Sequence, residues 1–387
     1  MLSEFLEKKP LYYDKIDYER MPRIYQKIRS ALPTPKIIHL IGTNGKGTTG
    51  RFLASALLNK GLKVGHYTSP HILKFNERIW LNGADIADEI LENTHNKLLV
   101  LLEKSDAERL SYFEYTTLLA MVAFAECEYV VLEAGLGGEY DATAVFPKEL
   151  TLFTPIDFDH TAFLGESIEN IATTKLNAMQ KTAIIGLQKH SEVYEIALKI
   201  ASQKDTKLTF LKESDESFQT KISAISEAMH LPKYLSDNLA LAACALEKLG
   251  FEFHADDFKN ARLFGRLTQI APNILLDVGH NALAAQAIAK TLEGQKFTLI
   301  YNTYKDKDFK AILTLLKPII QDVELLHPEG TTHVRNSRIV DQSLLVQTLQ
   351  ELKLTCKAYE AIQDDKNYLV FGSFSVAETF LKEWQKL

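Results

Sequence analysis

Cysteine is scarce in this chain: Cys127, Cys244 and Cys356 are its three, each more than a hundred residues from the next. No pair has the spacing of metal ligands, and three cannot complete a disulfide set, so a reducing compartment is expected. Positive charge is not in excess. Lys plus Arg number 44 against 50 for Asp plus Glu, a formal net charge of -6. That balance removes any reason to expect a generic nucleic-acid binder, while leaving room for a local cationic site that takes an anionic substrate. No uncharged apolar run approaches the ~20 residues needed to cross a bilayer. The first nine residues carry Glu4 and Glu7 and lack the apolar core of a signal peptide; no membrane partner and a cytoplasmic location are expected. Internal repeats, proline-rich linkers and low-complexity tracts are absent as well. What is present is ordinary globular composition, 46% apolar and 24% charged, in 387 residues. That length corresponds to two or three domains.

Short apolar runs alternate with helical patterns along the chain. Residues 36–41 (KIIHLI) form a continuous apolar run, as expected of a strand buried on both faces. Further strands are read at 63–67, 129–133, 150–154 and 182–186, with helices at 51–59, 112–126, 168–179 and 192–202. Strands separated by helices predict a mostly parallel sheet covered on both faces. The more polar stretch 205–230 reads as a small antiparallel excursion, followed by a Leu/Ala-rich helix at 234–249. The pattern breaks around 260–266 and a second series begins. Its strands are read at 273–278, 296–301, 323–326 and 368–371, and its helices at 283–292, 309–320 and 343–352. The expected division is therefore 1–266 and 267–387, two α/β domains with the boundary near Leu267.

The strongest chemical signal is Gly42-Thr43-Asn44-Gly45-Lys46-Gly47-Thr48-Thr49, between a buried strand and a helix. Glycines let backbone N–H groups turn around phosphate oxygens, and the helix start adds positive potential. Lys46 is placed against the β/γ-phosphates of ATP and the Thr48 hydroxyl against Mg²⁺. A glycine separates that lysine from the threonine, unlike the standard phosphate-loop pattern. Four other strand ends carry ligand-type residues. Glu133 opens a glycine-rich turn, LEAGLGG, and reads either as a Mg²⁺ ligand or as a solvated strand-end charge. Ser69-Pro70-His71 follows one strand and Asp157-Phe158-Asp159-His160 another; His160 there is a metal ligand, a general base or a structural residue. Asp277-Val-Gly-His280-Asn281 closes the first strand of the second series, with Gly265-Arg266 just upstream. From composition alone Lys175 is a solvated helical charge, and the aromatics at 112–115 are core packing or the wall of a flat-ring pocket.

Taken together these blocks resemble the folylpolyglutamate synthase/dihydrofolate synthase family of ATP-dependent amide ligases, bacterial bifunctional type, within the Mur-ligase superfamily. The resemblance spans nearly the whole chain: GTNGKGTT at 42–49, YTSPHILKFNERI at 67–79, YFEYTTL at 112–118, LEAGLGGEYDAT at 132–143, DHTAFLGESI at 159–168, GR at 265–266, DVGHN at 277–281, DKD at 306–308 and FGSF at 371–374. It implies a P-loop domain with a mostly parallel sheet, a smaller C-terminal Rossmann-like α/β domain that carries the glutamate side, and ATP bound between them. It further implies two Mg²⁺ ions held by Thr48, Ser69, Glu133, His160 and a carbamylated Lys175. Asn238, Arg266 and Asp277 are implied as nucleotide contacts, His280 and Ser373 as residues of the phosphate and glutamate side, and Phe113, Asp141 and Ala142 as the pterin region. The chain departs from the family at Glu139, Ala144, Thr174 and Ala282, where arginine, asparagine, glutamate and proline are common.

The implied reaction joins the carboxylate of dihydropteroate or a reduced folate to the amine of L-glutamate, through an acyl phosphate made with ATP, in an enzyme expected to be monomeric. Retention of the implied pterin-side positions Phe113, Asp141 and Ala142 favours an enzyme that uses both acceptors, with use of one alone as the alternative. A cell-wall ligase of the same superfamily fits poorly, because only 41 residues precede Gly42. A P-loop nucleotide switch leaves the second β/α series without a role, and a non-catalytic scaffold leaves the gathering of ligand-type residues at strand ends unexplained.

Overall fold

The computed structural model describes residues 1–10, 17–328 and 338–384. The chain divides into two compact units, Met1–Ala261 and Arg262–Leu387. The division falls a few residues before Leu267, because the segment that follows Ala261 leads directly into a β-hairpin of the second unit. Among the described residues, no helix is long and apolar enough to cross a membrane.

The first unit is built on eight strands: β1 (Lys36–Ile41), β2 (Val64–Tyr67), β3 (Ile79–Leu81), β4 (Ala84–Asp85), β5 (Tyr129–Glu133), β6 (Leu150–Phe153), β7 (Thr182–Ile185) and β8 (Lys207–Phe210). They lie in the order β4-β3-β2-β5-β1-β6-β7-β8. Pairing is parallel throughout, apart from the short antiparallel β2–β3 and β3–β4 contacts. The apolar runs are continuous because both faces are covered, and alternate residues go to opposite cores. Ile38, Leu40 and Val131 pack with helices Lys46–Asn59 and Lys233–Lys248, through Phe52, Leu53, Leu239 and Leu246. Ile37, Val130 and Leu132 face the other way, against Leu98 of helix Asp88–Leu101 and Leu118 and Leu119 of helix Tyr112–Ala123. A third cluster joins Ile41, Phe153 and Ile185 to helices Ile168–Leu176 and Glu192–Lys204.

The stretch 205–230 is not an antiparallel excursion. β8 pairs in parallel with β7, and helix Glu216–Ala228 follows. Phe218, Ile222 and Ile225 recur there at helical spacing and are buried, while Asp215 accepts the Phe218 N–H at 2.8 Å as a cap. The apolar stripe is narrow against a polar background, which is why the period was hard to read.

The second unit has six strands: β9 (Thr268–Ala271), β10 (Ile274–Leu276), β11 (Phe297–Tyr301), β12 (Ile320–Leu325), β13 (Cys356–Ala358) and β14 (Tyr368–Phe371). Their order is β13-β12-β11-β14-β10-β9, parallel except for the β9–β10 hairpin. β9 and β13 are short edge strands with exposed residues; their patterns carry too little hydrophobicity to announce them. In both units the last strand to enter the centre inserts between two earlier ones. β5 lies between β2 and β1, and β14 lies between β11 and β10. Order reversals of this kind leave a crevice at the carboxyl ends of the strands.

Candidate active site

At the end of β1 the chain enters a loop whose glycines are dictated by crowding. Gly42 has φ 154°, and a Cβ there would stand 1.9 Å from the Thr154 hydroxyl of the neighbouring β6 end. Gly45 has φ 88°, and its Cβ would stand 2.4 Å from Oδ1 of Asn238, so the buried amide of helix Lys233–Lys248 sits directly on the loop. Thr43 fastens the loop to the segment after β6. Its hydroxyl donates to the Asp157 carbonyl at 2.9 Å and accepts the Asp157 N–H at 3.0 Å, and its own N–H donates to Pro155 O at 2.8 Å. Helix Lys46–Asn59 starts at the lysine itself. Lys46 folds back and donates to the carbonyls of Gly42 and Thr43 at 3.0 and 3.2 Å, so its ammonium lies over the loop. Gly47, Thr48 and Thr49 are buried in the first turn, and Asn44 is half-buried.

The parallel order β2-β5-β1-β6 carries the other ligand-type residues to the same edge of the sheet. Glu133 ends β5, in register with Leu40 of β1, and is buried. Its Oε2 accepts the Thr68 hydroxyl and, at 3.3 Å, the Ser69 N–H. Among the described residues, Glu133 Oε1, Thr48 Oγ1 and Ser69 Oγ take part in no hydrogen bond. Three hard oxygen donors without a protein partner, one of them on a buried carboxylate, suit a divalent cation that completes its shell with phosphate and water. Among the described residues no group of three or more His, Cys, Asp and Glu could hold a metal, so such an ion would depend on the hydroxyls and on its nucleotide.

A small, partly open cleft lies at this edge, lined by Gly42, Thr43 and Lys46 of the loop, by Ala134 to Gly137 after β5, and by Asp159, His160 and Lys175. Lys175 is no solvated charge. It lies buried on helix Ile168–Leu176 and donates to the Gly42 carbonyl at 3.1 Å, the same oxygen that Lys46 uses. Burial and the nearby Lys46 charge bring its pKa down to about 7, against the pull of Asp159 and Asp141. A Cβ on Gly138 would stand 2.6 Å from the Lys175 carbonyl oxygen, so the LEAGLGG turn is seated on this helix. His160 adopts a left-handed backbone, φ 51°, and is partly exposed with its Nε2 3.8 Å from Asp159. Thr48, Ser69 and Glu133 are not part of the cleft lining.

The Phe113 ring packs against the same turn: a Cβ on Gly135 would be 2.6 Å from Phe113 Cζ. Its centroid is 5.8 Å from that of Tyr67, at the end of β2. Asp141 serves the turn itself. Oδ2 accepts the N–H groups of Gly135 and Leu136, both at 2.9 Å. Oδ1 accepts the Thr143 N–H at 2.9 Å and its hydroxyl at 2.5 Å. Four donors fill a carboxylate's ordinary acceptor positions, so its oxygens hold this turn in place. Ala142 is buried beside it at the start of a short 3-10 helix, Ala142–Val145. Behind them, His39 of β1 meets Thr143 Oγ1 at 2.6 Å. The sequence assigned no role to His39 or Thr154, because single polar residues in apolar runs carry no spacing signal; Thr68, Thr143 and Asp157 stood in noted motifs, without their roles.

In the second unit, buried Asp277 follows β10 and accepts the N–H groups of Leu267 and Gly279 at 2.8 and 2.7 Å. Burial pushes its carboxyl up, against the charge of nearby Arg266. The Arg266 guanidinium lies 5.5 Å from the Phe374 ring centroid, and the His280 ring lies 6.2 Å from that same ring. Ser373, fully buried after β14, caps helix Phe374–Trp384 by accepting the Val376 N–H at 3.1 Å. Arg266, Asp277, His280 and Ser373 thus gather at the ends of adjacent strands β14 and β10.

No protein-family model matches the chain. It is similar to the dihydrofolate synthase/folylpolyglutamate synthase of Escherichia coli (strain K12), with 30% identity covering 92% of this chain and 88% of that protein. Among solved structures it resembles the Helicobacter pylori folylpolyglutamate synthetase at 39% identity, covering 100% and 98% of the two chains, with a TM-score of 0.80. It also resembles E. coli FolC in complex with DHPP and ADP at 25% identity, covering 100% and 97%, with a TM-score of 0.82. Full-length coverage in both sequence and structure agrees with the P-loop edge and the second α/β unit described above: the chain belongs to the dihydrofolate synthase/folylpolyglutamate synthase family.

Proposed function

We propose that this chain is an ATP-dependent ligase that joins L-glutamate to dihydropteroate, as a dihydrofolate synthase, and to reduced folates, as a folylpolyglutamate synthase. The observation that carries the reading is the cleft at the carboxyl edge of the first sheet, where a P-loop and two lysines on one carbonyl oxygen, Lys46 and Lys175, face a glycine-rich turn backed by an aromatic ring.

A carboxylate is a poor electrophile, so the γ-phosphoryl group of ATP is first transferred to the acceptor's carboxylate. The glutamate amine then attacks the acyl phosphate carbonyl, the C–N bond forms, and inorganic phosphate leaves with the C–O bonding pair. The chain's part is mostly positioning and charge neutralisation. Gly42 to Thr49 cradle the phosphates, Lys46 neutralises them, and Asn238 braces the loop at Gly45. Divalent ions, read as two Mg²⁺, would be held by Thr48, Ser69, Glu133, His160 and a carbamylated Lys175, and would neutralise phosphate charge. Phe113 and Ala142 line the pterin side, with Asp141 shaping it through the turn it holds. Arg266 and Asp277 of the second unit serve the nucleotide; His280 and Ser373 serve the phosphate and glutamate side. A monomer in the cytoplasm completes the reading, and sedimentation at assay concentration checks the former.

The test is glutamate-dependent phosphate release from MgATP, run in parallel with dihydropteroate and tetrahydrofolate. Release with both, with products heavier by one glutamyl unit and with Lys46→Ala silent but folded, establishes the two activities. Release with one acceptor alone removes the other activity. Release indifferent to acceptor and glutamate defeats the ligase reading.

A further inference from the structure

Arg20 and Glu114 form an ion pair that is almost enclosed, their side chains 10% and 12% exposed. Arg20 Nε donates to both carboxylate oxygens, at 3.2 and 3.0 Å, and Nη2 donates to Oε1 at 3.1 Å. Arg20 begins helix Arg20–Ile28, while Glu114 lies in the first turn of helix Tyr112–Ala123, so the pair joins elements 94 residues apart. Glu114 has a second task there. Its Oε2 accepts the Ser111 N–H at 2.7 Å, and Ser111 Oγ accepts the Glu114 N–H at 3.2 Å, a reciprocal capping box. The same turn is held by Pro10 O, which accepts the Tyr112 N–H at 3.1 Å, and by the Arg78 guanidinium 5.2 Å from the Tyr112 ring centroid.

Capping does not require the charge, because a glutamine at the third helical position caps as well. Nor does stability, since enclosing two opposite charges forfeits hydration that their attraction only partly restores. What a planar, forked guanidinium adds is direction: it fixes the rotation of the first helical turn. Phe113 is the residue that this rotation aims. Its ring touches Gly135, two residues beyond Glu133, and packs on Tyr67, two residues before Ser69. The P-loop is braced by other groups, Thr154, Asp157 and Asn238.

We infer that the Arg20–Glu114 pair is a positioning device for the pteridine acceptor, acting through Phe113 and setting acceptor affinity independently of ATP. This rests on the ligase reading above. Three variants read it: Glu114→Gln, which keeps the cap; Arg20→Lys, which keeps the charge without the fork; and the double variant Arg20→Met/Glu114→Leu, which removes both charges while leaving apolar bulk. KM for acceptor, ATP and glutamate, kcat and the urea midpoint are measured for each. The acceptor KM is expected to rise about tenfold in all three, the size of one lost charge-assisted contact. KM for ATP is expected to stay within about twofold. Adding Phe113→Leu to Glu114→Gln is expected to raise the acceptor KM little further, because the two act as one unit. An unchanged acceptor KM, or acceptor and ATP KM values rising together with a fallen midpoint, overturns the proposal and leaves a merely structural pair. Wild-type protein that lacks glutamate-dependent release fails the ligase reading instead, so the two failures are told apart.

Discussion

His39 shows how one residue can constrain the molecule's response to pH. It sits fully buried in the middle of β1, and burial, aided by the nearby Lys148 charge, pushes its pKa well below the usual histidine value. The folded state therefore binds fewer protons at this ring than the unfolded chain does. The stability that its neutral form contributes is present above about pH 6.5 and is lost as the pH falls below it. Replacing it with His39→Gln, which can still donate to Thr143, removes one such proton. Below pH 6 the wild-type unfolding free energy is expected to fall about 1.4 kcal/mol per pH unit more steeply than the variant's. Urea titrations at several pH values between 4.5 and 7.5 check this; equal slopes defeat it. Lys175 teaches the opposite lesson about reading a sequence. Its spacing on the helix permitted a solvated charge, and only the approach of the Gly42 carbonyl and the closure of the turn at Gly138 bury it.

At the scale of elements, the site depends on loops that are stapled rather than free. The turn from Glu133 to Asp141 is held by four donors on one carboxylate and by the close seating of Gly138 on helix Ile168–Leu176. Asp141→Ala leaves the N–H groups of Gly135, Leu136 and Thr143 without their acceptor. The expected cost is about 2–4 kcal/mol in unfolding free energy. Amide exchange should quicken first at Gly135 and Leu136, ahead of the β5 strand that precedes them. Hydrogen exchange resolved along the chain measures this; protection lost uniformly would mean that the carboxylate supports the whole sheet instead. The P-loop is stapled in the same manner by Thr43 to Asp157, and Asp157 in turn accepts His190 Nε2 at 2.9 Å. These staples come from side chains whose partners are between two and more than a hundred positions away, so no local pattern marks them.

Across the whole molecule, two α/β units each offer a strand-order reversal and a set of polar residues at the carboxyl ends of their central strands. The net charge of -6 is not at odds with an anionic nucleotide, because a helix N-terminus and a lysine at one sheet edge act locally, as the proposed function has the loop amides and Lys46 do. Cation dependence is expected from the proposed site, where the oxygens of Thr48, Ser69 and Glu133 named above have no hydrogen-bond partner among the described residues. ADP with Mg²⁺ is expected to stabilise the fold by about 2.7 kcal/mol at a hundredfold excess over its Kd. Chelation with EDTA should cancel most of that gain without unfolding the ligand-free protein. A thermal melt with ADP, ADP plus Mg²⁺, and both plus EDTA makes the comparison. A shift that ignores EDTA would deny the cation its place.

The alternation of apolar strand runs with helical stripes was enough to reveal a two-domain α/β chain, and the glycine–lysine–threonine loop was enough to single out the candidate phosphate site that the proposed function uses. Both signals are local: burial on two faces writes itself into five consecutive residues of β1, 37–41, and a tight turn around phosphate needs glycine at fixed steps. The weak stripe of helix Glu216–Ala228 and the edge strands β9 and β13 escaped because little of their surface is apolar. Sequence spacing could not say that Lys175 is buried, that Asp141 holds a turn, or that Arg20 reaches Glu114. Those outcomes depend on which distant groups packing brings within hydrogen-bond distance, and on the desolvation that packing imposes, quantities that exist only once the chain has closed on itself.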